Sequence, residues 1–278
     1  MLTAYNFGPV PFTFLFTMLV NPYNNKSILE DNEGNKMFER NTAENVPLVI
    51  QVFSISLLIC FWVRLLLIPS ELKKSDTNET NEIQGKSLND LLKNPKFWNL
   101  FIMMTLSYFC QNYFLMFYKV ITLKYFDDDS FSTYLGVTYF ITRGLGNLAF
   151  GYLIQRFYWK NTMIPIFFIK TVLMLALWFC LDYKLLYGFI VILLAFISGA
   201  LYINVLMLTE KEFPSDKKAI SYVCLSFIIS FYMIYFMEKY ITPFIGYFLT
   251  FVIVAFLSFI LLLQTIFYRD PKQGKLLD

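Results

Sequence analysis

Polar residues in this chain come in short clusters separated by long apolar runs. Seven runs, residues 46–68, 97–118, 131–154, 162–181, 185–208, 219–237 and 241–268, carry few charges over about 20 residues or more. A hydrocarbon core about 30 Å thick needs about 20 apolar residues in a helix to cross it, since any other backbone state leaves unpaired amides in lipid. Strands of an outer-membrane barrel would be half as long and would alternate apolar with polar positions. These runs do not alternate, so they predict transmembrane helices. An eighth run, residues 1–20, is interrupted by Pro9 and Pro11. Counting it, the pattern predicts an all-α, polytopic membrane bundle of about eight helices. The first run is not a secretory signal: no basic residue opens it, and it leads into Asn21-Pro22 without a small-residue cleavage site.

Two connectors are long. Residues 21–45 are rich in Asn and Glu. Residues 70–96 carry Glu71, Lys73, Lys74, Asp76, Glu79 and Glu82, a composition that stays solvated. Within the second, residues 87–92 combine helix-start chemistry with apolar spacing and predict a short surface helix. The expected organisation is residues 1–69 as two helices, 70–96 as a central loop, and 97–278 as a six-helix unit. Lys and Arg in the connectors number 13 on the side that holds the C-terminus and 7 on the other. That bias predicts a cytoplasmic C-terminus and 70–96 loop. Asn25-Lys26-Ser27 then faces outward as a possible glycosylation site. Asp127-Asp128-Asp129 falls in a short outer connector and reads as a solvated turn rather than a cation site.

Composition narrows the chemistry. Only 15% of the 278 residues are charged and 57% are hydrophobic, whereas soluble domains average about 25% charged. The absence of His removes Ser-His and Cys-His catalysis and His-ligated metals. A net charge of +3, scattered along the chain, gives no nucleic-acid footprint. Cys60, Cys110, Cys180 and Cys224 each lie inside an apolar run and form no CxxC pair, so they read as small packing residues. No Walker-type loop, carboxylate pair or metal cluster occurs. Neither an enzyme nor a cofactor is expected, and no filter-like loop or ring of charge suggests a channel.

Three basic residues fall inside the runs, where a charge costs at least about 2.5–3.5 kcal/mol at the bilayer centre. Arg64 lies near Pro69 and can snorkel to the headgroups. Lys170 is deeper, and either snorkelling or a function would account for it. Arg143 is central in 131–154 and reaches neither surface. Gly136, Tyr139 and Asn147 share its helical face. That narrow polar stripe suits the wall of a wet cavity, and a guanidinium there forms a fork for a carboxylate. The alternative is a buried Arg tied to backbone carbonyls or to another helix. Weaker polar faces come from Ser107, Tyr108, Gln111 and Asn112 in 97–118, and from Ser226 and Ser230 in 219–237. Such residues also serve plain helix packing. Gly144, Gly146 and Gly151 are expected to allow close helix approach or a bend.

Several stretches then resemble a known family. Asn94-Pro95-Lys96-Phe97-Trp98, Phe117-Tyr118-Lys119, the aspartates and residues 143–151 resemble the seventh and eighth helices of major facilitator superfamily transporters, in the oxalate/formate antiporter and monocarboxylate transporter branch. Phe7-Gly8, Phe12 and Val20-Asn21-Pro22 resemble its fifth helix, and Asn45-Val46-Pro47 the start of its sixth. Gly151-Tyr152-Leu153-Ile154-Gln155-Arg156 is similar to the superfamily's Gly-xxx-Asp-Arg loop, with Gln155 in the Asp position. The branch's substrate Arg aligns with Asn147, and Arg143 stands one turn earlier. No basic residue lies in 219–237, where some antiporters carry a second one, so the resemblance implies one carboxylate rather than a dicarboxylate.

The resemblance also implies a twelve-helix parent with the solute between two halves, of which helices one to four have no counterpart here. It places Lys170 and Arg64 on peripheral helices. The expected function is secondary-active transport of a small organic anion by alternating access. Arg143, Asn147, Tyr139, Gln111, Asn112, Ser226 and Ser230 are the substrate-site candidates. The expected partners are the solute, the lipid bilayer and a partner supplying the missing helices. Two other expectations stand beside it: a non-transporting membrane subunit descended from a transporter, and an incomplete gene reading.

Overall fold

The computed structural model describes residues 9–21, 29–30, 36–37, 40–67, 91–157, 159–214 and 217–268. The sequon at Asn25 and nearly all of the 70–96 loop lie outside them, as does most of the surface helix expected at 87–92. The described chain is helical apart from a two-residue ladder, β1 (Leu29–Glu30) against β2 (Lys36–Met37). The helices are α1 (Pro9–Val20), α2 (Arg40–Leu67), α3 (Pro95–Phe126), α4 (Asp129–Arg156), α5 (Trp159–Phe179), α6 (Lys184–Glu212), α7 (Lys217–Cys224), α8 (Ser226–Phe236) and α9 (Thr242–Phe267). A π-helical segment, Met237–Ile241, joins the last two.

Capping chemistry sets the sharpest boundaries. Asn94 holds an extended backbone and accepts from Lys96 N at 3.0 Å, and Pro95 opens α3 where its missing N–H costs nothing. Asp127 ends α3 in the left-handed region at φ 49°, which a short polar side chain tolerates. Asp128 then caps α4, accepting from Phe131 N at 2.9 Å, and ion-pairs with Lys184 at the start of α6. The aspartate triplet makes the tight reversal between α3 and α4, with Asp127 and Asp128 partly exposed and Asp129 buried.

Among the described residues four stretches are long and apolar enough to cross a membrane: α3, α5, α6, and the 49 residues Ala219–Phe267 that contain α8 and α9. In the last, Gly246 interrupts the helix at φ 73° and ψ 169°, a backbone conformation that favours glycine. The helix proper resumes at Tyr247, six residues after the start expected for the 241–268 run. α4 is as long as its neighbours but dilutes its apolar content with Arg143, Asn147 and several hydroxyls and glycines.

Helix α3 runs through the middle and touches α4, α6, α7, α8 and α9, while α4 packs on α6 and α5 on α9. The α4–α6 contact is backbone against backbone. A Cβ at Gly146 would lie 2.1 Å from the Phe196 carbonyl oxygen, and one at Gly199 would lie 2.5 Å from that of Arg143. Small residues permit this approach where lipid gives no hydrophobic push between helices. Gly151 does not share the role, because a Cβ there meets nothing within 4 Å. Helix α1 packs on α4 and on α2. Leu48, Ile50, Ile55 and Leu58 of α2 are exposed, as apolar side chains facing lipid would be.

Candidate functional site

A polar layer crosses the bundle at mid-height. Cys110 and Gln111 lie at the middle of α3, Arg143 at the middle of α4, Lys170 at the middle of α5 and Ser198 at the middle of α6. All five are buried. With its amide oxygen toward the guanidinium, Gln111 accepts from Arg143 Nε at 3.2 Å and from Nη2. An uncharged acceptor thus meets one edge of the fork and leaves the positive charge uncompensated.

Arg143 is 5% exposed and turns toward Gln111 of α3. Its stripe goes with it. Tyr139 stacks nearly parallel on Tyr118 at 6.3 Å and lies beside Ser198. A Cβ at Gly136 would clash with the Tyr118 hydroxyl, so that glycine makes room for the ring. Asn147 is buried where Gly199 approaches its backbone. The face expected to wall a wet cavity therefore packs against α3 and α6. Two clefts of about 380 and 560 Å³ do occur, one beside Pro165 of α5 and one between α3 and α8, but mostly apolar residues line both and neither includes Arg143.

Lys170 is the residue that sequence reasoning placed too far out. It has no exposed surface, and its Nζ finds no hydrogen-bond partner. Its charge acts on Arg143 and on Cys110. The Cys110 thiol lies beside Ser258 of α9, whose hydroxyl is likewise without a hydrogen-bond partner. The signal was present in the sequence. The α5 positions Met163, Ile166, Phe167, Met174 and Leu177 form one buried stripe that includes Lys170.

The other candidates serve local packing. Asn112 Nδ2 donates to Tyr108 O at 2.9 Å within α3. Ser230 Oγ lies 2.8 Å from the Thr105 carbonyl and 2.9 Å from that of Ser226, which ties α8 to α3. Thr105 is about 9 Å along the helix from Gln111, so the serines flank the Arg143 layer and do not enter it. The side chains of Arg64 and Gln155 lie outside the description. Arg156 is held by its own helix, its Nη1 donating to Tyr152 OH at 3.1 Å.

The acidic residues of α3 to α9 all stand at helix ends or in the π-segment. Glu212 takes Lys96 Nζ at 2.9 Å and Tyr268 OH at 2.8 Å at one end. Glu238 accepts from Tyr113 OH at 2.8 Å and Tyr247 OH at 2.9 Å, and Tyr113 stands only about 3 Å along α3 from Gln111. Among the described residues neither Arg143 nor Lys170 forms an ion pair, and Glu238, close to their level, is taken up by two tyrosines. Among the described residues no group of His, Cys, Asp or Glu could hold a metal ion.

The family model described as Major Facilitator Superfamily matches residues 43–236, from the first turn of α2 to the end of α8. No curated protein matches the chain.

Proposed function

The chain belongs to the major facilitator superfamily, and from that premise we propose that it carries a small organic anion, a monocarboxylate in the first instance, across a membrane by alternating access. One observation supports the anion: the Arg143 guanidinium and the Lys170 ammonium share the central layer, and among the described residues neither forms an ion pair. Two desolvated cations without a counter-charge are costly. A carboxylate ligand would offset that cost while bound. In this reading Arg143 holds one carboxylate through the fork edge that Gln111 leaves open. Lys170 adds positive potential, and Tyr139 and Asn147 shape the wall. No covalent step is involved.

The test is uptake of a panel of radiolabelled C2–C4 monocarboxylates into liposomes that contain the full chain. Saturable uptake that Arg143→Gln abolishes is expected. No uptake by the unaltered chain, under any gradient, overturns the proposal.

A second reading is favoured by the burial of Arg143 and its bond to Gln111. In it the chain is a non-transporting membrane subunit, and Arg143 is a structural tie inside a larger assembly whose partner supplies further helices. Loss of folded protein in Arg143→Gln, with no uptake in any preparation, is the outcome that reading expects.

A further inference from the structure

Helices α4 and α5 follow each other in the chain but pack on different partners, α6 and α9, and touch each other little. The gap between them is the cleft of about 380 Å³ beside Pro165, within the range of about 300–1,000 Å³ typical of small-molecule sites. Leu153 and Phe157 line it from the α4 side, Ile166 and Ile169 from α5, and Ile197 from α6. Ile166 and Ile197 are buried, whereas Phe157 and Ile169 are 53% and 45% exposed. The cleft therefore opens sideways, on a face that meets hydrocarbon when the bundle lies in a membrane.

Its polar residues, Asn161 and Thr162, gather at one end, in the first turn of α5. Two cations stand beside that end: in the chain Arg156 adjoins Phe157, and Lys160 adjoins Asn161. Arg156 is exposed, and its Nη1 donates to a neutral partner, Tyr152 OH, at 3.1 Å. Lys160 Nζ donates to the Ile266 carbonyl at 2.9 Å, in the last turn of α9. Among the described residues neither cation forms an ion pair. Residues 130–181, which span most of α4 and all of α5, contain no Asp or Glu. An apolar slot thus ends at a cationic rim.

We infer that this cleft seats an acyl chain of an anionic phospholipid, with the lipid phosphate against Arg156, Lys160 and the Asn161 amide. The pairing of slot and rim selects the occupant. A neutral lipid would fill the slot but leave the cations unmatched, and a free anion would match the cations but leave the slot empty. A guanidinium can take two phosphate oxygens at once, while an ammonium adds a point charge beside it. The bond from Lys160 to the end of α9 puts the site at the C-terminal end of the bundle. Under the orientation expected from the Lys and Arg bias this is the cytoplasmic leaflet, where anionic lipids concentrate and where basic pockets between membrane helices hold their headgroups. The inference stands on this cleft alone and does not depend on whether the chain transports a solute.

The experiment uses the full chain, purified in a neutral detergent. It is titrated with phosphatidylglycerol or with phosphatidylcholine carrying the same acyl chains, and bound lipid is counted by native mass spectrometry. Phosphatidylglycerol should bind about tenfold more tightly, because each basic residue near the headgroup favours the anionic lipid. Arg156→Gln and Lys160→Gln should each reduce that preference and together abolish it, whereas Arg156→Lys should keep most of it. Ile169→Trp, which fills the slot, should weaken both lipids. Lys239→Gln, which removes an exposed cation from the π-segment, should change neither. Gel filtration checks that each variant is folded, and Arg156→Gln, a change at an exposed side chain, carries the test if another variant is not. Equal binding of the two lipids overturns the inference, as does a preference that survives the double change or is lost equally in Lys239→Gln. Displacement of the lipid by inorganic phosphate, or binding that ignores Ile169→Trp, would reduce the site to a surface anion contact and also overturn it.

Discussion

Gly199 of α6 lies directly against the peptide of Arg143 in α4. A methyl group there would stand 2.5 Å from the Arg143 carbonyl oxygen and 2.6 Å from the Asn147 nitrogen. Both atoms are main chain, so no side-chain rotation relieves the clash. Gly199→Ala must push two central helices apart at the level of the guanidinium. Overpacking of this kind costs about 1–3 kcal/mol, and the melting temperature of the detergent-purified protein should fall. Gly151→Ala, where a Cβ meets nothing within 4 Å, should leave it unchanged or slightly higher, because alanine is the better helix former. Equal melting temperatures for the two variants would remove the close-packed layer from the argument.

Gln111 offers a test of what Arg143 is for. Gln111→Glu keeps the shape of the side chain but turns the acceptor into a carboxylate beside the guanidinium. A resident anion would then occupy the fork and compete with any solute. Uptake should fall about tenfold to a hundredfold, the loss expected when a charge-assisted hydrogen bond worth about 1.5–3 kcal/mol is pre-empted. The melting temperature should hold or rise. If the chain transports but Arg143 is only a structural tie, the same change strengthens the tie and leaves uptake unchanged. The two outcomes are therefore opposite in the transport assay.

How much of this was readable beforehand depended on whether a property is local or needs the rotation of a second helix. A charge in the middle of an apolar run is local, so the mid-membrane depth of Arg143 could be read from residues 131–154 alone. Its partner Gln111 could be shortlisted but not paired, because facing depends on how α3 turns against α4. Lys170 was assigned to the periphery because a helix was ranked instead of a face. Its stripe of Met163, Phe167 and Met174 points inward. Gly146 and Gly151 look alike in sequence and differ only in what stands opposite them. The burial of Asp129 is not legible in the sequence because Lys119 and Asn21, which pair with it, lie elsewhere in the chain.

Lys170→Met separates stability from function. An ammonium with no exposed surface and no hydrogen-bond partner contributes nothing to packing that a methionine of similar length does not. Replacing buried charge by well-packed apolar atoms is commonly neutral or stabilising by about 1–4 kcal/mol. The variant should melt at the same or a higher temperature. If the positive potential of the central layer draws the solute, uptake should weaken at low solute concentration while the maximal rate changes less. A marked drop in melting temperature would mean that the ammonium has a structural partner, and Lys170 would leave the proposed site.

Glu238 sits in the π-helical segment between α8 and α9, and each of its oxygens takes one tyrosine hydroxyl, from Tyr113 of α3 and Tyr247 of α9. The extra residue of a π-turn is tolerated here because it carries the carboxylate to where both hydroxyls reach it. Tyr113→Phe and Tyr247→Phe should each cost about 1–2 kcal/mol, the lower part of the range for bonds to a charged acceptor, because Glu238 is only partly buried. The double variant should cost more than the sum, since the second loss leaves the carboxylate with no protein donor. Glu238→Gln should be milder than the double change, because an amide still accepts from one hydroxyl and donates to the other. Amide hydrogen exchange supplies the local readout: protection should fall across residues 237–241 in the double variant and persist in Glu238→Gln. Equal protection in both would mean that the Gly246 break, and not the carboxylate, holds the π-turn in place.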